Sequence, residues 1–216
     1  MKNCLTLLLL LLALFTTRGQ DVFERNRSWR AEQNKEFADS ATSPLTNKAR
    51  SSFDSLPYFP ISQDFAVTAY LEPTPDSKPF KMLTSTDRLA DYKQYGIAHF
   101  SIKGQQFKIP VYQNLRLLKI PKYKNSLFIP FTDLTNANET YPGGRYVDTE
   151  IPENDSLLID FNMAYNPYCA YNDRYSCPIP PAENHLETRV EAGVLYIDKK
   201  EKASKKIKKP KPSVFH

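Results

Sequence analysis

Short segments of alternating apolar and polar side chains most constrain the fold of this chain. Residues 65–71 alternate in this way, and residues 97–102 and 106–112 flank a short turn in the pattern of a β-hairpin. The other strand candidates are residues 80–83, 115–120, 127–131, 145–151, 157–163 and 190–197. Because Pro and Asn mark the turns and helical periodicity is rare, we predict a mainly β (α+β) fold, an antiparallel barrel or sandwich.

One helix is predicted ahead of these strands. Residues 21–38 are charged and contain neither Gly nor Pro, and the apolar side chains share about a third of the helical circumference. These apolar residues are Val22, Phe23, Trp29 and Phe37. We expect this amphipathic N-terminal helix, at residues 21–40, to dock on one β-rich domain at residues 49–197, because its apolar stripe is narrow.

The first residues have the pattern of a secretory signal peptide. Lys2 precedes an apolar run over residues 5–15, and small and polar residues end the segment near Gly19 and Gln20. The run is too short to span a bilayer. We therefore predict a signal peptide at residues 1–19 and an exported protein, periplasmic or secreted, that is not transmembrane after signal cleavage.

Residues 199–216 form a basic tail, in which eight lysines stand against one glutamate. Such a composition predicts a disordered, solubilising segment, and the alternative role is weak contact with an anionic envelope. Without the tail and the signal peptide, residues 20–198 carry a net charge of about −4, so the domain itself is mildly acidic.

Two cysteines remain after signal cleavage, Cys169 and Cys177. An exported chain lies where thiols oxidise, so we predict a disulfide between them. Residues 165–181, which contain this pair, also carry four tyrosines and four prolines. Rigid aromatic rings beside amide groups suit a carbohydrate or another polar ligand, and they equally suit a long loop that packs on itself.

A polar face is predicted on two neighbouring segments. We expect residues 145–151 to pair with residues 157–163 across a short turn, in the register that buries their apolar side chains, Val147, Ile159 and Phe161 among them. The side chains left on the opposite face are Asp148, Glu150, Asp160 and Asn162. Their oxygens could hold Ca²⁺, or the face is simply solvated; because no calcium-loop pattern is present, we predict no metal.

Arg145 begins this segment on the core side. Its guanidinium could bind an internal carboxylate, such as that of Glu183, or a carboxylate of a ligand. Internal pairing is favoured, because a cation that points towards a core must be compensated.

Several classes of chemistry lack their sequence patterns. Neither a phosphate-binding glycine loop nor a dinucleotide-binding pattern occurs, so we predict no cofactor and no nucleotide. The Gly-x-Ser-x-Gly pattern of serine hydrolases is absent. Cys169 and His185 resemble a thiol and its base, but oxidation of the thiol is favoured in an exported protein.

An ordered set of short motifs resembles a known family. The motifs are Trp29-Arg30, Ser43-Pro44-Leu45, Tyr58-Phe59-Pro60, Phe128-Ile129-Pro130-Phe131-Thr132-Asp133, Glu139-Thr140-Tyr141, Gly144-Arg145-Tyr146, Asp160-Phe161-Asn162, Ala164-Tyr165-Asn166-Pro167, Cys169-Ala170, Cys177-Pro178, Pro180-Pro181, Glu183-Asn184 and Glu191-Ala192-Gly193. Over residues 25–197 the chain resembles the bacterial family called domain of unknown function 1684. The resemblance implies a single bacterial domain and no known activity. The motif positions that it implies are Asp133, Tyr141, Arg145, Asp160, Asn162, Tyr165, Asn166, Glu183 and Asn184.

The function predicted from these patterns is binding of a polar small molecule or glycan in a cleft of an exported bacterial domain. The predicted ligand-binding residues are Tyr141, Arg145, Asp160, Asn162, Tyr165, Asn166, Glu183 and Asn184. One alternative is a hydrolase in which the carboxyl groups of Asp160 and Glu183 divide the acid and base roles. The other is an envelope scaffold or assembly protein, and whether the protein is an enzyme stays open.

Overall fold

The computed structural model describes residues 21–196; the predicted signal peptide and the predicted basic tail lie outside the described residues. The chain is helical throughout residues 21–38 (α1) and forms a short second helix at Asn47–Arg50 (α2). The strands are β1 (Ala66–Pro73), β2 (Phe80–Met82), β3 (Ala90–Ile102), β4 (Gln105–Asn114), β5 (Ser126–Asp133), β6 (Arg145–Glu150), β7 (Ser156–Asp160) and β8 (His185–Leu186). Within residues 21–196, no helix has the length and apolar composition that crossing a membrane requires.

The strands form one sheet that curls into a half-barrel. Its main path runs β6-β5-β4-β3-β1-β7, and every neighbouring pair on this path is antiparallel. Strand β2 pairs antiparallel with β3, and the two-residue β8 pairs in parallel with β5. The prediction of a mainly β, antiparallel fold with an N-terminal helix is confirmed.

Individual strand predictions have mixed outcomes. The hairpin predicted around residues 103–105 is present as β3 and β4. Residues 115–120 are not a strand, because they contain the 3-10 turn Leu117–Lys119. The strand predicted near the C-terminus is also wrong over residues 190–196, where the bridge between Val194 and Tyr58 is isolated.

Strands β6 and β7 do not pair as a hairpin, which corrects the predicted arrangement. Strand β6 pairs with β5 and β7 pairs with β1, so the two are the edge strands of the main path. The curl of the sheet brings these edges close, and the Thr149 hydroxyl donates to the Leu158 carbonyl oxygen at 3.1 Å. Val147 of β6 and Ile159 of β7 are still buried, as predicted, because both pack in the main core.

The inner face of the half-barrel holds the main core. Apolar side chains from β1, from β3 to β8 and from the segment after β8 meet there, and removing them from water is the main source of stability. The buried members are Phe65, Val67, Ala69, Leu71, Ala98, Phe100, Ile102, Ile109, Val111, Leu127, Ile129, Phe131, Val147, Leu157, Ile159, Phe161, Ala164, Leu186, Val190 and Ala192.

A β-bulge in β3, between Gln94 and Gly96, lets this strand serve both faces of the sheet. After the bulge, Phe100 lies in the main core, whereas before it Tyr92 lies in a second cluster on the outer face. One extra residue reverses the alternation of side chains along a strand. Glycine is needed at position 96, because a Cβ there would lie 2.6 Å from the Glu72 carbonyl oxygen.

A buried ion pair fixes the beginning of β6. The side chains of Arg145 and Asp133 are both 0% exposed, and Arg145 Nη2 donates to Asp133 Oδ2 at 2.8 Å. The guanidinium also donates to the carbonyl oxygens of Val190, at 2.8 Å, and Ala192. The pairing of Arg145 is internal, as favoured from the sequence, but the carboxylate is that of Asp133 and not that of Glu183.

We predict that Arg145→Met lowers the free energy of unfolding by about 3–5 kcal/mol, because it leaves the Asp133 carboxylate buried without a cation. Urea denaturation measures the loss. Arg27→Met, which removes the exposed pair with Glu24 at 2.7 Å, is the matched control and should cost about 0–1 kcal/mol.

Adding Asp133→Asn to Arg145→Met should restore part of the stability, because the uncompensated charge is then absent. If Arg145→Met lowers the free energy of unfolding no more than Arg27→Met does, the Arg145–Asp133 pair is not the buried interaction that stabilises this region.

Candidate functional site

A cavity of about 440 Å³ lies on the outer face of the sheet, and we call it the aromatic cavity. Its walls come from α1, from strands β3 to β6 and from the cysteine loop, which we define as residues 165–181. The lining residues are Trp29, Gln33, Glu36, Tyr92, Asn114, Leu117, Tyr123, Ser126, Leu127, Phe128, Tyr146, Asp148, Met163, Tyr165, Pro167, Tyr168, Cys177 and Pro178.

A chain of aromatic contacts forms the floor of the aromatic cavity. The ring centroids of Tyr92 and Phe128 lie 5.4 Å apart, those of Phe128 and Tyr146 4.8 Å, and those of Tyr146 and Tyr165 5.6 Å. The last two pairs meet edge to face, an arrangement that the ring quadrupole favours. Strand alternation and the bulge place Tyr92, Phe128 and Tyr146 on one face, and an isolated bridge joins Tyr165 to Tyr146.

Asp148 lies in this aromatic floor, directly opposite Phe128 in the β5–β6 ladder. One carboxylate oxygen, Oδ2, accepts from the Tyr165 hydroxyl at 2.6 Å. Among the described residues, none of the salt bridges joins Asp148 to a lysine, arginine or histidine.

The electrostatic consequence is a raised pKa for the Asp148 carboxyl group. Solvent reaches Asp148 through the cavity, yet surrounding protein atoms desolvate it and raise its pKa above the ordinary 3.8. The hydrogen bond from Tyr165 opposes this shift. Burial also raises the pKa of Tyr165, so its hydroxyl remains a donor.

A second carboxylate enters the aromatic cavity from α1. Glu36 Oε1 accepts a short hydrogen bond from the Tyr168 hydroxyl. The Tyr168 ring packs edge to face on Phe37, with centroids 6.3 Å apart, so the buried face of α1 holds this pair in place. Both carboxylates of the cavity are therefore oriented by tyrosine hydroxyls of the cysteine loop.

The predicted site residues Asp160 and Asn162 lie outside the aromatic cavity and anchor α1. Asp160 Oδ2 accepts from Arg25 Nη2 at 2.9 Å and from Asn26 Nδ2 at 2.8 Å. The other oxygen, Oδ1, accepts from Asn162, whose side chain also exchanges two hydrogen bonds with the backbone of Ser62. These two residues therefore join α1 and the segment before β1 to the end of β7.

The other predicted site residues are distributed over separate places. Glu183 and Asn184 both accept from the Tyr112 hydroxyl, at 3.3 and 3.1 Å, and Asn184 is fully buried. Asn166 is buried and donates to the Tyr171 hydroxyl and to the Leu195 carbonyl oxygen, while Arg145 is buried in its ion pair.

Of the eight predicted residues, only Tyr165 lines the aromatic cavity. The structure does not bring the other seven residues together at this cavity. The physical reason is that the remaining polar groups satisfy one another or the backbone inside the fold, whereas the prediction assumed that β6 and β7 were paired.

Cys169 and Cys177 are free thiols in this structure, so the predicted disulfide is not formed here. The Cys169 N–H donates to Cys177 Sγ at 3.2 Å, which places the residues side by side. A hydrogen bond from Cys177, helped by Ser85 and Tyr141, lowers the pKa of Cys169 to about 6. The predicted residue Tyr141 thus lies beside the cysteine pair, and Cys177 reaches the wall of the aromatic cavity.

Sequence reasoning named many of the lining residues but did not predict the aromatic cavity. It identified Tyr165, Tyr168, Asp148 and Trp29, but it did not bring them together or include Glu36. The available signal was the alternation in β5 and β6, which puts Phe128 and Asp148 on the face opposite Ile129 and Val147. Within residues 21–196, no group of three or more His, Cys, Asp or Glu side chains could hold a metal ion.

We predict that Asp148→Asn stabilises the protein at neutral pH. The raised pKa means that the folded state holds the proton of Asp148 more tightly than the unfolded state does. The contribution of this carboxyl group to stability is therefore fully present below pH 3.8 and is lost as the pH rises above that value. Asparagine keeps the shape and can accept from Tyr165, so the variant should gain in urea midpoint at pH 7 and not at pH 3.

Glu150→Gln, on the same strand and outside the cavity, is the matched control and should show no such pH-dependent gain. A lower midpoint for Asp148→Asn than for the parent at neutral pH would mean that the ionised carboxylate is stabilising.

The comparisons with known proteins concern the family and the fold. A family model described as "Protein of unknown function (DUF1684)" matches residues 51–195. No curated protein matches the chain. The chain is 30% identical to an uncharacterized protein of Haloarcula marismortui with a solution NMR structure; the match has a TM-score of 0.65 and covers 83% of this chain and 96% of that one. The family model spans most of the chain, which therefore belongs to this family of proteins of unknown function.

Proposed function

We propose that the protein binds a small polar organic molecule, in the class of polar metabolites or glycans, in the aromatic cavity. The observation that carries this proposal is Asp148, a carboxylate that faces the aromatic cavity with a hydrogen bond from Tyr165 but without a salt bridge among the described residues. A carboxylate without a counter-charge in a concave site is a candidate binding group. A concave site with aromatic walls and a few oriented polar groups is also the usual form of a small-molecule site.

The aromatic cavity replaces the cleft expected from the sequence. Its volume of about 440 Å³ lies within the range of ligand sites. The floor of Tyr92, Phe128 and Tyr146 offers an apolar platform, and Gln33 and Asn114 add amide groups at the wall. These are the two components that a polar ring compound needs, a face to stack on and partners for its hydroxyl or amino groups.

The hydrolase alternative gains no support from the pair proposed for it. Asp160 is buried beneath α1 and holds Arg25 and Asn26, whereas Glu183 is exposed beside Tyr112. Neither carboxyl group lines the aromatic cavity. The geometry therefore supports binding better than hydrolysis by these two residues.

We also propose that the domain is exported and that Cys169 and Cys177 become a disulfide after export. The N-terminal apolar run supports export, and the adjacent positions of the two cysteines support the bond. The basic residues 199–211 would then lie in the envelope or outside the cell, where they could make weak contacts with anionic polymers.

The binding proposal is tested by fluorescence, because Trp29 is the single tryptophan of the chain and lines the aromatic cavity. A screen of polar metabolites and sugars should yield compounds that change Trp29 emission in a saturable way. Ser126→Phe, which fills the cavity, should weaken this binding by about tenfold or more. Ser156→Phe on β7 lies outside the lining and should leave the binding unchanged.

If no compound changes Trp29 emission, and if filling the cavity by Ser126→Phe leaves the protein as stable as the parent, the aromatic cavity is not a ligand site. Equal affinity of a binding compound for the Ser126→Phe variant and the parent would place that ligand elsewhere.

The export proposal predicts a mature protein that lacks residues 1–19 and has lost two hydrogens through oxidation. Intact-mass spectrometry of protein recovered from the periplasm or medium measures both changes. Reducing the bond should lower the free energy of unfolding by about 2.5 kcal/mol, because it closes a short loop. Full-length protein in that fraction, with all three cysteines alkylatable, would contradict the proposal.

A further inference from the structure

The charged side chains that line the aromatic cavity are all of one sign. Glu36 and Asp148 are both carboxylates, and no lysine, arginine or histidine of residues 21–196 lines the cavity. Neither carboxylate has a salt bridge within that part of the chain. The cavity therefore presents negative charge that the described fold leaves uncompensated.

Tyrosine hydroxyls orient both carboxylates without neutralising them. Tyr165 donates to Oδ2 of Asp148 at 2.6 Å, and Tyr168 donates to Oε1 of Glu36. Each bond uses one oxygen, and the other oxygen of each carboxylate, Oδ1 or Oε2, has no hydrogen-bond donor in the described part of the chain. A hydrogen-bond donor of a ligand, or its positive charge, can approach these oxygens directly.

The walls add a second attraction for positive charge. Seven aromatic rings line the cavity, and the face of an aromatic ring carries negative potential. One of them already receives a cation of the chain itself, because Lys122 Nζ lies 5.4 Å from the centroid of the Tyr123 ring. Lys122 does not line the cavity, so the space between the walls stays without a positive charge from the described residues.

Anionic and neutral ligands fit these observations less well. An anion would meet two carboxylates and no cation in the cavity, and it would be repelled. A neutral sugar could stack on the rings, but it would leave both carboxylates without a counter-charge. A compact organic cation satisfies the rings and the carboxylates together.

We propose that the ligand of the aromatic cavity is an organic cation of the alkylammonium class, held between the aromatic walls and the carboxylates of Asp148 and Glu36. This inference rests on the proposed function, since it names the chemical class of the ligand in the same cavity.

The test compares three probes on the purified full chain by Trp29 fluorescence and by NMR of the Trp29 indole N–H. Choline supplies the cation. Dimethylbutanol, in which carbon replaces the quaternary nitrogen, has the same shape without charge, and maltose represents neutral glycans. Choline should bind about tenfold more tightly than dimethylbutanol, and its affinity should fall as salt screens the carboxylates.

Two pairs of variants test whether the carboxylates of Asp148 and Glu36 bind the cation. Asp148→Asn and Glu36→Gln should each weaken choline binding by about tenfold, because each removes one negative charge and keeps the shape. Glu150→Gln on β6 and Glu32→Gln on α1 make the same charge change outside the lining and should leave the affinity within about twofold.

The outcomes separate the inference from the proposed function. Binding of dimethylbutanol or maltose at least as tightly as choline overturns the cationic ligand but leaves small-molecule binding standing. Binding of choline that neither Asp148→Asn nor Glu36→Gln weakens also overturns the inference. No response of Trp29 to any of the three probes contradicts the cationic ligand, and a further lack of response to the wider metabolite screen contradicts both proposals.

Discussion

The buried ion pair between Arg145 and Asp133 is the constraint on which the rest of the site depends. It joins the end of β5, the beginning of β6 and the carbonyl groups of residues 190–192 at one point without solvent exposure. Because Arg145 points inward, alternation along β6 turns Tyr146 and Asp148 to the outer face. The same interaction that stabilises the core therefore determines which side chains face the aromatic cavity.

Three charged groups in this fold show how the site differs from the scaffold. The charge of Arg145 is compensated by Asp133, and that of Asp160 by Arg25, while Asn26 donates a hydrogen bond to Asp160. Asp148, which is exposed at the cavity, accepts from the Tyr165 hydroxyl and has no salt bridge among the described residues. Because Asp148 is exposed there, its missing counter-charge is open to a ligand, and this contrast with the paired charges is the basis of the binding proposal.

The sequence predicted the fold class well, because alternation at period two is a local signal. The hairpin of β3 and β4 and the antiparallel sheet followed from it. The pairing of β6 with β5 did not, because a short turn suggested a local partner and the curl of the sheet is a long-range property. The bulge at Gln94 also escaped, since one extra residue leaves the apolar composition of β3 unchanged. For the same reason Tyr92 could not be assigned to the outer face.

Polarity alone selected both structural residues and one residue of the cavity, Tyr165. Four of the structural residues are Asp160, Asn162, Asn184 and Arg145. They are polar because buried backbone and side-chain groups need hydrogen-bond partners, and only coordinates separate such residues from ligand contacts.

The most direct measurement is an NMR titration of the Asp148 carboxyl carbon in the free protein. We expect the pKa of Asp148 to lie above 3.8 in the free protein and to fall when an organic cation is bound. A value at or below 3.8 in the free protein would show that the charge is already compensated and would contradict the account.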